Sequence, residues 1–336
     1  MELSTKQRRI LELLSINARF SNKDIGKIVG LSEDAVAYQI KKLILKEKYA
    51  RFYVQFDYPY QEKFQLYHIL IRLNNLEFDK KAICTIPNTI SINTSTGKYD
   101  VQVLAVTKSN EEYDKTIESL NSILSISNMT VLKYIGDYKQ FTNVIPPISL
   151  NTPVPRNQKN FIYKLNSRIF PLKNPHGEWK IDESDKKIVM ELLKDPLASY
   201  TKLATKTGLN HETVRTRMKA YVNSGFIINF GLMHDFKKYG LFTAHLLLNL
   251  NGEDKKKFSE YLLHNKNIFY SARLIGTYNC MVYVLAHNPD ELSKHIREIR
   301  TVLGNSLKEF DLLMVENLYK YTQFPEGELT NTFTPE

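Results

Sequence analysis

The chain contains one pattern twice. A constant offset pairs Leu3 with Ile181, Ile10 with Ile188, Leu11 with Val189, Leu14 with Leu192, Ser21 with Ser199, Ile25 with Leu203, Gly30 with Gly208, Leu31 with Leu209 and Val36 with Val214. With a residue of slippage, Gly97-Lys98-Tyr99-Asp100 falls on Gly276-Thr277-Tyr278-Asn279. A register held over that much sequence means two copies of one unit, so every element read in one copy is expected in the other. The 336 residues suit such a division, being too many for one ordinary domain.

Each copy opens with helical periodicity. Leu3, Ile10, Leu11 and Leu14 share a face, ending near Asn17. Ser21 reads as the N-cap of a short second helix carrying Ile25 and Ile28, which Gly30 closes in a left-handed conformation. Ser32 then caps a third helix that buries Val36, Ile40 and Leu43. In the second copy Thr201–Thr207, Gly208 and Asn210 take the same parts, with Val214, Met218 and Tyr221 buried. Gly26 and Ala204 are small where two helices must approach closely, so the pattern is a helix-turn-helix. Ala50–Phe56 and Phe226–Leu232, rich in aromatic and β-branched residues, read as a wing or a strand leading out.

Beyond the wing the spacing changes to strand, helix, strand, strand, helix, strand. In the first copy these are Leu66–Leu73, Phe78–Thr85, Thr89–Thr96, Tyr99–Val106, Glu111–Leu124 and Thr130–Ile135. In the second they are Leu241–Leu250, Asp254–His264, Ile268–Ile275, Tyr278–Ala286, Pro289–Leu303 and Lys308–Val315. That is the ferredoxin-like order, with the Gly97-Lys98 and Gly276-Thr277 turns read as hairpins where glycine supplies positive φ. The fold class is therefore α+β, a tandem duplication of a winged helix-turn-helix plus a ferredoxin-like (βαββαβ) domain. The expected boundaries are 1–58 and 59–142 for the first copy, 143–178 for a Pro-rich basic linker, 179–236 and 237–325 for the second copy, and 326–336 for a tail. Phe161–Phe170 within the linker is apolar enough to dock on a domain.

A net charge of +10 and a pI near 9.2 favour a polyanionic partner, nucleic acid before an anionic membrane. The N-terminus MELSTKQRRILELL lacks a secretory pattern, and no apolar run approaches the ~20 residues that span a bilayer. Cys84 and Cys280 stand singly in apolar segments, as reduced core thiols do. The expectation is a cytoplasmic protein without a membrane partner. No phosphate-cradling glycine loop, metal-ligand spacing or nucleophile elbow is present, so no enzyme activity, metal or cofactor is expected.

The exposed faces of the third helices offer the groups that reach phosphates and base edges. In the second copy these are His211, Thr213, Arg215, Thr216, Arg217 and Lys219, with Tyr200, Thr201 and Lys202 placed for backbone contacts at the start of the preceding helix. In the first they are Ser32, Tyr38, Gln39, Lys41 and Lys42, beside Glu33, Asp34 and Ala37. The acidic pair suits a helix N-terminus but repels phosphate, so the second helix-turn-helix is expected to contribute more affinity.

On these residues the chain resembles the leucine-responsive/asparagine-type (Lrp/AsnC) transcriptional regulators. The resemblance is carried by Leu3-x6-Ile10-Leu11, Arg19-Phe20-Ser21-Asn22-x2-Ile25-x4-Gly30-Leu31-Ser32 and Gly97-x-Tyr99-Asp100, and by Ile181-Asp182, Gly208-Leu209-Asn210, Ser224-Gly225-Phe226-Ile227 and Gly276-x-Tyr278. It implies two protomers fused, double-stranded DNA as partner, and homodimers or higher oligomers through the sensing domains. It also implies an effector, an amino acid or similar, near Gly97, Tyr99, Asp100, Gly276, Tyr278 and Asn279, with the Asp100-to-Asn279 change removing one carboxylate. Two alternatives stand beside it. One is a siroheme-type tetrapyrrole decarboxylase, which also pairs two such units; His245, His264 and Arg273 are its candidates, but the strand Ile268–Ile275 lacks that family's His-Tyr-Arg grouping. The other is an architectural DNA protein with little sequence preference.

Overall fold

The computed structural model describes residues 3–57, 64–139, 181–251, 255–322 and 324. The linker expected at 143–178, including 161–170, and the tail at 326–336 lie outside the described residues. The chain forms two compact units, and each draws on both copies: Met1–Glu62 with Ile145–Tyr239, and Lys63–Val144 with Gly240–Glu336.

The first unit holds both helix-turn-helix modules. Ser4 and Gln7 form a capping box at the start of α1 (Thr5–Ile16), and Ser21 caps α2 (Asn22–Val29), which ends at Gly30 with φ 66°. A Cβ on Gly26 would stand 2.5 Å from the Leu31 carbonyl oxygen, so the tight turn requires glycine there. Ser32 caps α3 (Glu33–Ile40), and the helix continues as a π-helical turn over Lys41–Lys46. The second copy repeats this as α6 (Glu183–Lys194), α7 (Tyr200–Thr207) and α8 (His211–Ser224), closed by Gly208 and Gly225 in left-handed conformation. Val36 matches Val214 before the π turn, and Lys48 (φ 55°) takes the place of Gly225 after it. The first recognition helix is thus one residue longer, and the π turn absorbs the extra residue.

The two expected wings are one structure. β1 (Ala50–Phe56) pairs antiparallel with β6 (Ile227–His234), so each wing satisfies its hydrogen bonds on the other copy. The ribbon is closed reciprocally, Asp57 N donating to Phe226 O and Asp235 N to Tyr49 O, each at 2.9 Å. Leu232 of β6 enters the first copy's core among Ile10, Leu14, Val36 and Leu43. Arg19 adds an unsymmetrical brace. Its guanidinium lies 4.0 Å over the Phe230 ring and donates to the Pro196 carbonyl at 3.2 Å, where the second copy has Leu197 at the matching position.

The second unit closes both ferredoxin-like sheets into one eight-stranded barrel. The first copy contributes β2 (Gln65–Leu73), α4 (Lys80–Cys84), β3 (Thr89–Gly97), β4 (Val101–Thr107), α5 (Asn110–Ile123) and β5 (Ile126–Lys139). The second contributes β7 (Phe242–Leu250), α9 (Lys255–His264), β8 (Ile268–Ile275), β9 (Cys280–Ala286), α10 (Pro289–Leu303) and β10 (Leu307–Tyr321). The last strand of each copy is much longer than its sequence pattern suggests. β5 pairs with β2 and then with β8 of the other copy, and β10 pairs with β7 and then with β3. The outer halves are held by this second pairing, which local periodicity does not encode.

Helix-facing strand residues form two apolar cores, one around Ile69, Ile92, Val103 and Leu120, the other around Leu246, Val282, Phe258 and Ile299. The barrel interior is partly polar. His68 and His245, each fourth in its strand, are buried there, and His245 Nδ1 lies 2.8 Å from Gln102 Oε1. Burial lowers the His68 pKa to about 4; burial, with His68 close by, lowers that of His245 to about 3.

Candidate nucleic-acid interface

The N-caps that start α3 and α8 also orient them. Ser32 accepts from Ala35 N at 3.2 Å, and Asn210 accepts from Glu212 N at 2.8 Å. With Val36, Val214, Met218 and Tyr221 buried, the opposite faces are left to solvent. On α8 that face presents His211, Glu212, Thr213, Arg215, Thr216 and Lys219; Thr201 and Lys202 are exposed at the start of α7, with Tyr200 half-buried. Arg215 is bidentate to Glu212 at 2.9 and 2.8 Å, which lowers the Glu212 pKa and raises that of Arg215. Lys202 pairs with Asp195 at 2.6 Å. Both pairs are exposed, so each adds little stability and leaves its cation accessible to solvent.

Arg217 is held differently. It donates to both Asp182 oxygens at 2.9 and 2.8 Å and to Asp185 at 2.5 Å, while Tyr221 donates to Asp185 at 2.5 Å. Burial works against its charge, but these bonds outweigh that and raise its pKa. The guanidinium therefore clamps the start of α6 to α8. Gln39, at the matching position of the first copy, accepts from Gln7 Nε2 at 3.0 Å and clamps α1 in the same way. Two of the candidate DNA contacts are thus engaged inside their modules.

The rest of the first face is Glu33, Asp34, Ala37, Tyr38 and Lys41, all exposed, with Tyr38 at 64%. Lys42 is half-buried in the π turn and lies 3.7 Å from Glu47. Matched position by position, the two faces share little beyond Lys41 and Lys219.

In the barrel, the two glycine turns sit where the copies meet. A Cβ on Gly97 (φ +141°) would stand 2.4 Å from Leu312 O of β10; one on Gly276 (φ +145°) would stand 2.6 Å from Leu132 Cδ2 and 3.3 Å from Val131 O of β5. Close approach of the other copy's strand, beyond hairpin geometry, explains glycine here. Asp100 accepts from Leu73 N at 2.8 Å and Arg72 at 3.3 Å; Asn279 accepts from Leu250 N at 2.9 Å and donates to Leu250 O at 2.7 Å. Both tie down the end of a neighbouring strand, so the carboxylate-to-amide change leaves the same latch in place.

The buried tyrosines differ more. Tyr99 OH meets Thr130 Oγ1 at 2.8 Å, whereas Tyr278 OH bonds to Asp311 and to Lys98 Nζ, the latter at 2.6 Å. Lys98 also reaches Asp311 at 2.9 Å, and its bonds to Tyr278 and Asp311 raise its pKa. Lys98 and Asp311 are additions to the candidate set. The signal in the sequence was the mismatch of Lys98 with Thr277 inside the repeated turn.

The tetrapyrrole candidates have three different surroundings. His245 is in the barrel interior, His264 Nδ1 is 2.7 Å from Glu260 O at the end of α9, and the Arg273 guanidinium is 5.8 Å from the Tyr138 ring. Among the described residues they do not form one anion-binding set. Nor is there, among those residues, a cluster of three or more metal-binding side chains or a helix long and apolar enough to cross a membrane.

Two helix-turn-helix modules on an exchanged wing, with two ferredoxin-like domains sharing a barrel, define a tandem winged-helix protein. Residues 5–44 match the family model of the AsnC-type helix-turn-helix domain, and 181–228 match that of the winged helix-turn-helix DNA-binding domain. The chain is similar to an uncharacterized HTH-type transcriptional regulator of Pyrococcus abyssi, 24% identical over 125 residues, which span 37% of this chain and 85% of the relative. It is also similar to the HTH-type transcriptional regulator Ptr1 of Methanocaldococcus jannaschii, 25% identical over 135 residues, covering 39% of this chain and 90% of that one. The crystal structure of the siroheme decarboxylase NirDL superposes with a TM-score of 0.59 over 96% of this chain and 94% of the other, at 11% identity. That likeness speaks to the fold alone. The chain is thus similar to AsnC-type helix-turn-helix proteins in its first helix-turn-helix and to winged helix-turn-helix DNA-binding domains in its second, and the relatives named here are described as HTH-type transcriptional regulators.

Proposed function

We propose that this protein is a cytoplasmic, sequence-specific DNA-binding transcriptional regulator whose affinity is set by a small-molecule effector held where the ferredoxin-like domains meet. The observation that carries the first part is the exposed face of α8, where His211, Arg215, Thr216 and Lys219 project from a helix whose other side is locked in the core. The regulator relatives support the same reading. For the effector, the supporting feature is Lys98 beside Tyr278 and Asp311, a cation placed to take a carboxylate such as that of an amino acid. Asp100 and Asn279 then position strands around the effector. Since the barrel pairs each copy's edges with the other's, association into homodimers would use faces and not open strands.

The test is fluorescence anisotropy with mixed-sequence duplex DNA across a salt series. Binding should weaken with a log–log slope of about −0.9 per phosphate neutralised. Absence of binding at low salt would overturn the reading and bring the decarboxylase alternative to the front.

A further inference from the structure

We propose that a single chain reads an asymmetric duplex, two half-sites of unlike sequence held at fixed spacing, and not an inverted repeat. This rests on DNA binding as the function. Two observations carry it, one geometric and one chemical.

The geometric one is the wing. Antiparallel pairing of β1 with β6, closed by the matched Asp57–Phe226 and Asp235–Tyr49 bonds, relates the modules by a local two-fold. Two recognition helices so related face a duplex as the two halves of a dimer do, and such dimers read sites whose symmetry mirrors their own. Here the ribbon is intramolecular, and Arg19 braces it from one side only. The pairing of these two unlike helices is therefore built into every molecule.

The chemical one is the faces themselves. At matched positions the first copy carries Glu33, Asp34, Ala37 and Tyr38, and the second carries His211, Glu212, Arg215 and Thr216. Arg215 suits the two acceptors of a guanine, a contact that Ala37 cannot make. Ala37 and Tyr38 offer apolar surface to thymine methyl groups, and Glu33 or Asp34 can accept from a cytosine amino group. The π turn changes the first helix further. It absorbs an extra residue within Lys41–Lys46, a backbone irregularity without counterpart in α8, while the ribbon stays in register. The two helices hence cannot favour the same half-site.

The experiment is selection of binding sites by the full chain from a duplex pool with a long randomised core. The expected motif has two halves that are not inverted copies of each other. Arg215→Ala should weaken binding to the selected duplex roughly tenfold or more and relax preference in one half only. Converting the first face to the second, with Glu33→His, Asp34→Glu, Ala37→Arg and Tyr38→Thr together, should shift the selected motif toward an inverted repeat. All four positions are exposed, and an unchanged thermal melt will show that the fold is kept. An inverted repeat selected by the unaltered chain, or a motif with one half only, would overturn the proposal. Salt-dependent binding without any enriched motif would overturn it and leave DNA binding standing, whereas no duplex binding at any salt would remove both.

Discussion

The clamp formed by Arg217 sets up a sharp test, because the other copy holds its natural replacement. Arg217→Ala removes the cation from a carboxylate, Asp185, that is 1% exposed, while Arg217 itself keeps 25% of its surface. Losing one partner of a buried ion pair costs about 3–5 kcal/mol, and water reaching in at the guanidinium reduces this to about 2–3 kcal/mol here. Asp185 would retain the Tyr221 hydroxyl and the Asp182 N–H, which keep it from being stranded. Replacing the pair jointly, Asp185→Gln with Arg217→Gln, recreates the amide pair of Gln7 and Gln39 and should recover more than half of the loss. Native-state hydrogen exchange at α6 and α8 is the assay, since a chain of two units has no single unfolding free energy. Unchanged exchange in Arg217→Ala, with DNA affinity collapsing, would refute the clamp and make Arg217 a direct DNA contact.

Gly97→Ala should cost roughly 2 kcal/mol more than Gly136→Ala, although both glycines have positive φ. Of these two glycines only Gly97 would bring a Cβ against a backbone carbonyl, so equal loss of hydrogen-exchange protection in the barrel for the two variants would show that this strand contact yields easily. The buried imidazoles predict acid sensitivity of the barrel. His68 and His245 are neutral in the fold, with pKa values of about 4 and about 3, while the unfolded chain protonates near 6.5. Their contribution is complete above about pH 6.5 and is lost as pH falls through the window down to those values, about 2 kcal/mol for each at pH 5. The double variant His68→Gln, His245→Gln should flatten the acid limb of stability against pH; an unaltered limb would show other groups to be responsible.

The elements within each copy were legible because they are local. Ser21, Ser32, Ser199 and Asn210 announce helix starts, and Gly30 and Gly208 announce ends, by side-chain and backbone chemistry that acts over a few residues. What was hidden is what one copy does for the other. The pairing of β1 with β6 and the long outer halves of β5 and β10 depend on partners far away in sequence. Candidate contacts were hardest to judge for the same reason. Arg217 on an exposed helix face looks like Arg215 until Asp182 and Asp185 are brought beside it. The extra residue in the first recognition helix left no mark in the repeat as read, whose one slip, at Gly97 and Gly276, runs the other way; the backbone shows it lodged as a π turn.

Exchange between copies also governs how the molecule can be made. Its two units are interleaved along the chain, so the first half emerges from the ribosome with β1, the free edge of β3 and the outer end of β5 all lacking their partners. These edges stay open until β6, β8 and β10 have been synthesised, which makes translation speed and chaperone capture part of this protein's folding. Cutting the gene between the copies would yield two sticky fragments, not two working halves.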